Sequence, residues 1–153
     1  MDNDDSAVRK ERLVISGEYK NLNKVRNFIA KIARKAGFTE EDTYKIQLAV
    51  DEACTNIIEH GYGAERAGKI ECLCDFNDEE LVIHIFDSGM PFNIEDFKPP
   101  IIVPDLDKRK VGGLGIYFMK KLMDVVKYKS TPIGSESEGA RFLNELVLVK
   151  RRK

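Results

Sequence analysis

The feature that most limits how this chain can fold is an apolar stripe at helical spacing: Ile46, Ala49, Val50, Ala53 and Ile57. Residues three and four apart share one face of an α-helix, so this stripe commits a helix to packing against a core. Thr39 followed by Asp42 reads as an N-cap with first-turn acids, and Gly61-Tyr62-Gly63 reads as a stop. The central helix is therefore expected from Glu40 to about His60. On its wetter side Glu52 and Asn56 stand one turn apart, a carboxylate beside a carboxamide. Such a pair is either the solvated edge of an amphipathic helix or a holder for a hydrated cation.

Before and after that helix the apolar period switches between two and 3.6. Arg12 to Glu18 alternates as a strand, and Asn21 to Ala36 carries Leu22, Val25, Phe28, Ile29, Ile32 and Ala33 at helical spacing, with Gly37 just past the end. Lys69–Phe76 and Glu80–Asp87 read as two strands around Asn77-Asp78, a polar hairpin turn. Pro91, Pro99, Pro100 and Pro104, with the charged run Asp105 to Lys110, make a long irregular connection holding at most a short helical turn near Ile94 to Phe97. Gly113 to Met123 returns to helical spacing, and Val125 to Ser130 and Ala140 to Val149 are two further strands. Two hairpin-connected strand pairs and three amphipathic helices predict an α+β chain. Its expected architecture is a two-layer α/β sandwich, a mixed, mostly antiparallel sheet covered by helices on one face. We expect a single domain over residues 1–153, with 1–10 and 150–153 as flexible tails and 93–112 as a lid.

Charge removes two classes of partner. With 25 basic and 26 acidic residues and a net charge of -1, no global field favours direct nucleic-acid binding or an anionic membrane. The basic end Lys150–Lys153 reads as a solvated tail. No apolar run follows the acidic start Met1 to Asp5 and no segment approaches the length of a membrane span, so the expectation is a cytoplasmic protein. Cys54 falls in the apolar helix while Cys72 and Cys74 share one face of a strand, which fits reduced core or half-buried thiols.

Three short motifs carry chemistry. Asp87 ends a strand and is followed by Gly89. A carboxylate there accepts a hydrogen bond from an exocyclic amine such as that of adenine, and the missing Cβ lets a planar ligand approach the backbone; the competing reading is a plain turn. Gly112, Gly113 and Gly115 open a helix, where free N–H groups and the helix dipole favour a phosphate chain, and Lys108, Arg109 and Lys110 precede them. A hinge and a solvated lid are the alternatives there. Asn56 offers an oxygen to Mg²⁺, and Glu52 a carboxylate that draws a proton from an incoming hydroxyl. His60 is expected to cap or pack at the helix end, and His84, inside a strand, to be structural.

In this order and within this length, the Glu52-x-x-x-Asn56 helix, the Asp87-x-Gly89 strand end and the Gly112-Gly113-Leu114-Gly115 helix start resemble the ATP-binding domain shared by gyrase, Hsp90, histidine kinases and MutL. The stretch EACTNIIEHGYG is especially similar to the stand-alone anti-sigma-factor serine kinases of bacteria. That resemblance implies ATP and Mg²⁺ as cofactors, Glu52 as catalytic base and Asn56 as Mg²⁺ ligand. It implies that Asp87 and Gly89 read adenine and that Gly113 and Gly115 hold phosphate, with Lys110, Gly112 and Leu114 in the same nucleotide-binding segment. The implied partners are an anti-sigma-factor antagonist carrying the serine substrate and a sigma factor, with a homodimer compatible. A regulatory binding module without phosphotransfer and a detached histidine-kinase catalytic domain are the rival expectations. The chain departs from the family pattern at Gly139-Ala140, where Gly-Thr is frequent, and in the Pro-rich segment 99–110.

Overall fold

Helix α1 (Leu22–Lys35) buries the stripe Leu22, Val25, Ile29, Ile32 and Ala33 that its spacing announced. It ends in a Schellman motif: Phe38 N–H donates to Ala33 O and Gly37 N–H to Arg34 O, with Gly37 at φ +90. Helix α2 (Glu40–Asn56) starts at Thr39, whose Oγ1 accepts the Asp42 N–H at 3.1 Å. It buries Ile46, Ala49, Val50 and Ala53 almost completely. Burying one such aliphatic side chain contributes about 1.5–3 kcal/mol, which is why the stripe decides the helix's orientation. The computed structural model describes residues 7–62, 68–91, 113–134 and 141–153. The expected helical turn at 94–97 and the whole of the lid at 93–112 lie outside them.

The remaining elements are strands β1 (Arg9–Ser16), β2 (Lys69–Phe76), β3 (Glu80–Asp87), β4 (Val125–Ile133) and β5 (Arg141–Arg151), and helix α3 (Gly113–Leu122). The five strands form one sheet in the order β1-β2-β3-β5-β4. Every neighbouring pair is antiparallel, so the sheet is not mixed. Alternation assigns the faces: Ile70, Cys72, Cys74, Leu81, Ile83, Ile85, Leu146 and Leu148 join α1, α2 and α3 in one core. The hairpin between β2 and β3 is closed by Asn77, whose Oδ1 accepts the N–H groups of Glu79 at 2.8 Å and Glu80 at 2.9 Å. All three thiols are free and buried, as the alternation of Cys72 and Cys74 predicts.

Both expected tails are shorter than the sequence indicated. Arg9 and Lys10 already pair with Phe76 and Asp75 in β1, and the Arg9 guanidinium lies 5.3 Å over the Phe76 ring. At the other end Arg151 pairs with Glu80, and Arg152 N–H donates to Glu79 O at 2.8 Å. The charged side chains alternate with the strand period, and Lys150 turns inward to donate to Leu122 O, at the end of α3, over 2.7 Å. A cluster of like charges concealed a strand end because its backbone still had a ladder to complete.

Candidate functional site: a strand-end carboxylate joined to helix α2

Asp87 closes the central strand β3, where β5 and the backbone that follows Asp87 hold its carboxylate. It is 6% exposed, and its Oδ1 accepts the Gly89 N–H at 2.9 Å and the Asn144 Nδ2–H at 3.0 Å. Asn144 is opposite Asp87 in β5; its second amide hydrogen goes to Gly89 O at 2.8 Å and its Oδ1 accepts the Ser130 hydroxyl at 2.6 Å. Burial raises the Asp87 carboxyl above the usual range, and the bonds from Asn144 and Gly89 pull it partly back. Among the described residues both bonds go to Oδ1 and none to Oδ2.

Gly89 is needed for a reason different from the one its position implied. A Cβ there would lie 2.5 Å from the Gly61 carbonyl carbon and 2.6 Å from its oxygen, so the space is filled by protein backbone rather than kept for a ligand. The contact exists because α2 does not stop cleanly. It continues as a π-turn, Ile57–Tyr62, that brings Gly61 O within 2.7 Å of Met90 N–H. Single π-turns inside or at the end of α-helices recur at functional sites.

Glu52 and Asn56 sit on α2 just before this turn, one helical turn apart. Asn56 is 5% exposed and its Nδ2 has no hydrogen-bond partner among the described residues. Buried polar atoms are ordinarily hydrogen-bonded, and the one left over on Asn56 is a donor, so its fitting partner is an acceptor rather than a cation. Glu52 is half-buried; burial, then the charges of Asp51 and Glu59, raise its pKa. Asp51 is itself tied to Arg26 of α1 at 2.8 Å, and Glu59 accepts the Tyr19 hydroxyl at 2.9 Å. His60 neither caps nor packs: it is exposed, with Nε2 3.8 Å from Glu59. His84 lies on the opposite face of the sheet between Asp75 at 3.4 Å and Glu145 at 3.9 Å, consistent with a structural role.

Of the residues singled out from sequence, the π-turn therefore joins the Glu52 and Asn56 helix to Asp87 and Gly89. Gly113, Leu114 and Gly115 form the first turn of α3, which packs against α2. Lys110 and Gly112 lie outside the described residues. Sequence reasoning missed Asn144, Ser130 and Tyr62. Asn144 left a readable trace, a polar residue at the inward phase of Phe142, Leu146 and Leu148.

A two-layer sandwich with a helix-borne Glu and Asn beside a buried strand-end Asp is the arrangement of a nucleotide-binding ATPase domain, and the relatives of the chain agree. The Histidine kinase-like ATPase domain family matches residues 15–137. The serine-protein kinase RsbW of Bacillus velezensis is 32% identical over 120 residues, 76% of this chain and 75% of the relative. That of Bacillus licheniformis is 34% identical over 110 residues, 67% of each. That of Listeria innocua is 32% identical over 114 residues, 72% of this chain and 71% of the relative. In fold, the chain is similar to the crystal structure of the RsbU and RsbW domains of a Mycobacterium tuberculosis protein. The TM-score is 0.59 at 14% identity, covering 95% of this chain and 33% of that one. The chain belongs to the Histidine kinase-like ATPase domain family and, within it, to the anti-sigma-factor kinases, which are serine-protein kinases.

Proposed function

We propose that the chain transfers the γ-phosphoryl group of ATP, with Mg²⁺, to a serine of an anti-sigma-factor antagonist, and that it holds a sigma factor in the alternate state of a partner switch. The observation that carries the nucleotide part is the buried Asp87, whose Oδ1 takes the bonds from Asn144 and Gly89 and whose Oδ2 takes none from the described residues. That is the chemistry a 6-amino purine needs, a hydrogen-bond acceptor with no proton transfer.

The Mg²⁺ ligand of this reading is the carboxamide oxygen of the buried Asn56, because Mg²⁺ prefers oxygen donors and takes most of them from water and phosphate; the unpartnered Nδ2 of the same group is a donor, suited to an acceptor such as a phosphate oxygen. Among the described residues no cluster of three or more His, Cys, Asp or Glu could hold a metal. When bound, the cation neutralises charge on the phosphates. Glu52 accepts the proton of the attacking serine hydroxyl, and its raised pKa makes it a stronger base than an ordinary exposed carboxylate. The backbone amides of Gly113, Leu114 and Gly115, which open α3, bind phosphate in this reading, and Lys110 and Gly112 belong to the same nucleotide-binding segment of the sequence. No helix among the described residues is long and apolar enough to cross a membrane. The cytoplasm, where sigma factors act, is the compartment this reading implies, and a homodimer is compatible with it.

The test is incubation with Mg·ATP and the antagonist. We expect about one acid-stable phosphate per antagonist on serine. In Glu52→Ala the transfer should be lost while ATP still binds. ATP binding without transfer by the parent would make the chain a nucleotide-dependent binding module, and an acid-labile phosphate would make it a histidine kinase.

A further inference from the structure

Tyr62 was legible only as part of a helix stop, yet it meets more of the Asp87 corner than any residue except Asn144. Its ring is seated by two glycines: a Cβ on Gly68 would lie 2.1 Å from Tyr62 Cε1, and one on Gly17 3.1 Å from Cδ2. The seated ring puts Oη 2.5 Å from Lys69 O, to which it donates, and 2.9 Å from Ser88 N, from which it accepts. Those roles use its single hydrogen and one lone pair, and the Ser88 hydroxyl lies 3.4 Å away near the other. Three consecutive amides are thereby fixed: Ser88 N–H to Tyr62 Oη, Gly89 N–H to Asp87 Oδ1, and Met90 N–H to Gly61 O. The middle bond orients the carboxylate, and the two outer bonds come from the π-turn that ends α2.

We propose that Tyr62 is a positioning residue for base recognition: its hydroxyl and the Gly61 carbonyl hold the Ser88–Met90 backbone so that Asp87 presents Oδ2 to the exocyclic amine of adenine. This rests on the nucleotide reading above. Because the same turn continues from the helix of Glu52 and Asn56, the base pocket and the catalytic helix move as one body.

The experiment compares ATP with purine riboside triphosphate, which lacks the exocyclic amine, on the parent, Tyr62→Phe and Asp87→Asn. The parent should bind ATP more tightly than the analogue, and Asp87→Asn should lose that preference. Tyr62→Phe keeps the ring; it should weaken ATP about five- to tenfold, the worth of one hydrogen bond, and leave the analogue within about twofold. An equal fall for both nucleotides would make Tyr62 a mere strut, and no fall for either would make it irrelevant; both overturn the proposal. A parent that does not distinguish the two nucleotides overturns the base reading as well, whereas preference lost in Asp87→Asn but kept in Tyr62→Phe overturns the Tyr62 role alone. If Tyr62→Phe does not fold, amide exchange on the parent decides. Adenosine should add protection at Ser88 and Met90 together with Ile57–Tyr62, and protection confined to Asp87–Gly89 would refute the coupling.

Discussion

Asp87 is a residue at which stability and binding pull in opposite directions. Burial raises its pKa in the fold, so the fold holds the proton more tightly than the unfolded chain does. That contribution is fully present below the unfolded value and is lost as pH rises through the folded value, which makes the ionised form a cost at neutral pH. Asp87→Asn should therefore raise the thermal midpoint of the nucleotide-free protein at neutral pH, by a margin that shrinks as the solution is acidified. The same variant should weaken ATP by about 1–3 kcal/mol in calorimetry. Glu52 supplies a second pH signature. A base must be deprotonated to act, so the acid limb of the phosphotransfer profile should lie above the ordinary carboxylate range, and Glu59→Gln should move it to lower pH. An unmoved limb would remove Glu59 from the electrostatics of the base. These residues were legible because each stands in a short local pattern. Asn144 and Tyr62 were not, since their partners lie 57 and 26 residues away along the chain, at Asp87 and Ser88.

Among the elements, α2 depends on its cap and its exit. Thr39→Ala removes the acceptor of the Asp42 N–H and should cost about 1 kcal/mol in denaturant unfolding. At the exit, Gly61 and Gly89 are in contact but not equivalent. A Cβ on Gly61 meets nothing closer than 3.6 Å, whereas one on Gly89 would sit 2.5 Å from backbone. Gly89→Ala should thus cost about 1–3 kcal/mol and Gly61→Ala far less, and equal losses would show that the turn yields to either. Helices and strands were readable because periods of 3.6 and two separate them cleanly. The π-turn was not, because six residues hold too few repeats to reveal a change of period, and its backbone bond is to Met90, beyond the next two strands. Strand ends were misjudged for a related reason: Arg9, Lys10 and Arg151 look solvated by composition, while the backbone ladder continues through them.

For the whole molecule, the antiparallel sheet places Asp87 at the end of its middle strand, and α2 in the helical layer carries Glu52 and Asn56. Periodicity and the hairpin carried the architecture from sequence, and the π-turn is what brings the helix of Glu52 and Asn56 up to that strand end. The measurement that tests the account most directly is titration calorimetry of ATP, with and without Mg²⁺, on the parent and on Asn56→Ala. Saturable binding that requires Mg²⁺ and is weakened by Asn56→Ala is the predicted result. Binding by the parent that is indifferent to Mg²⁺ and to the substitution, or no binding at all, would contradict it.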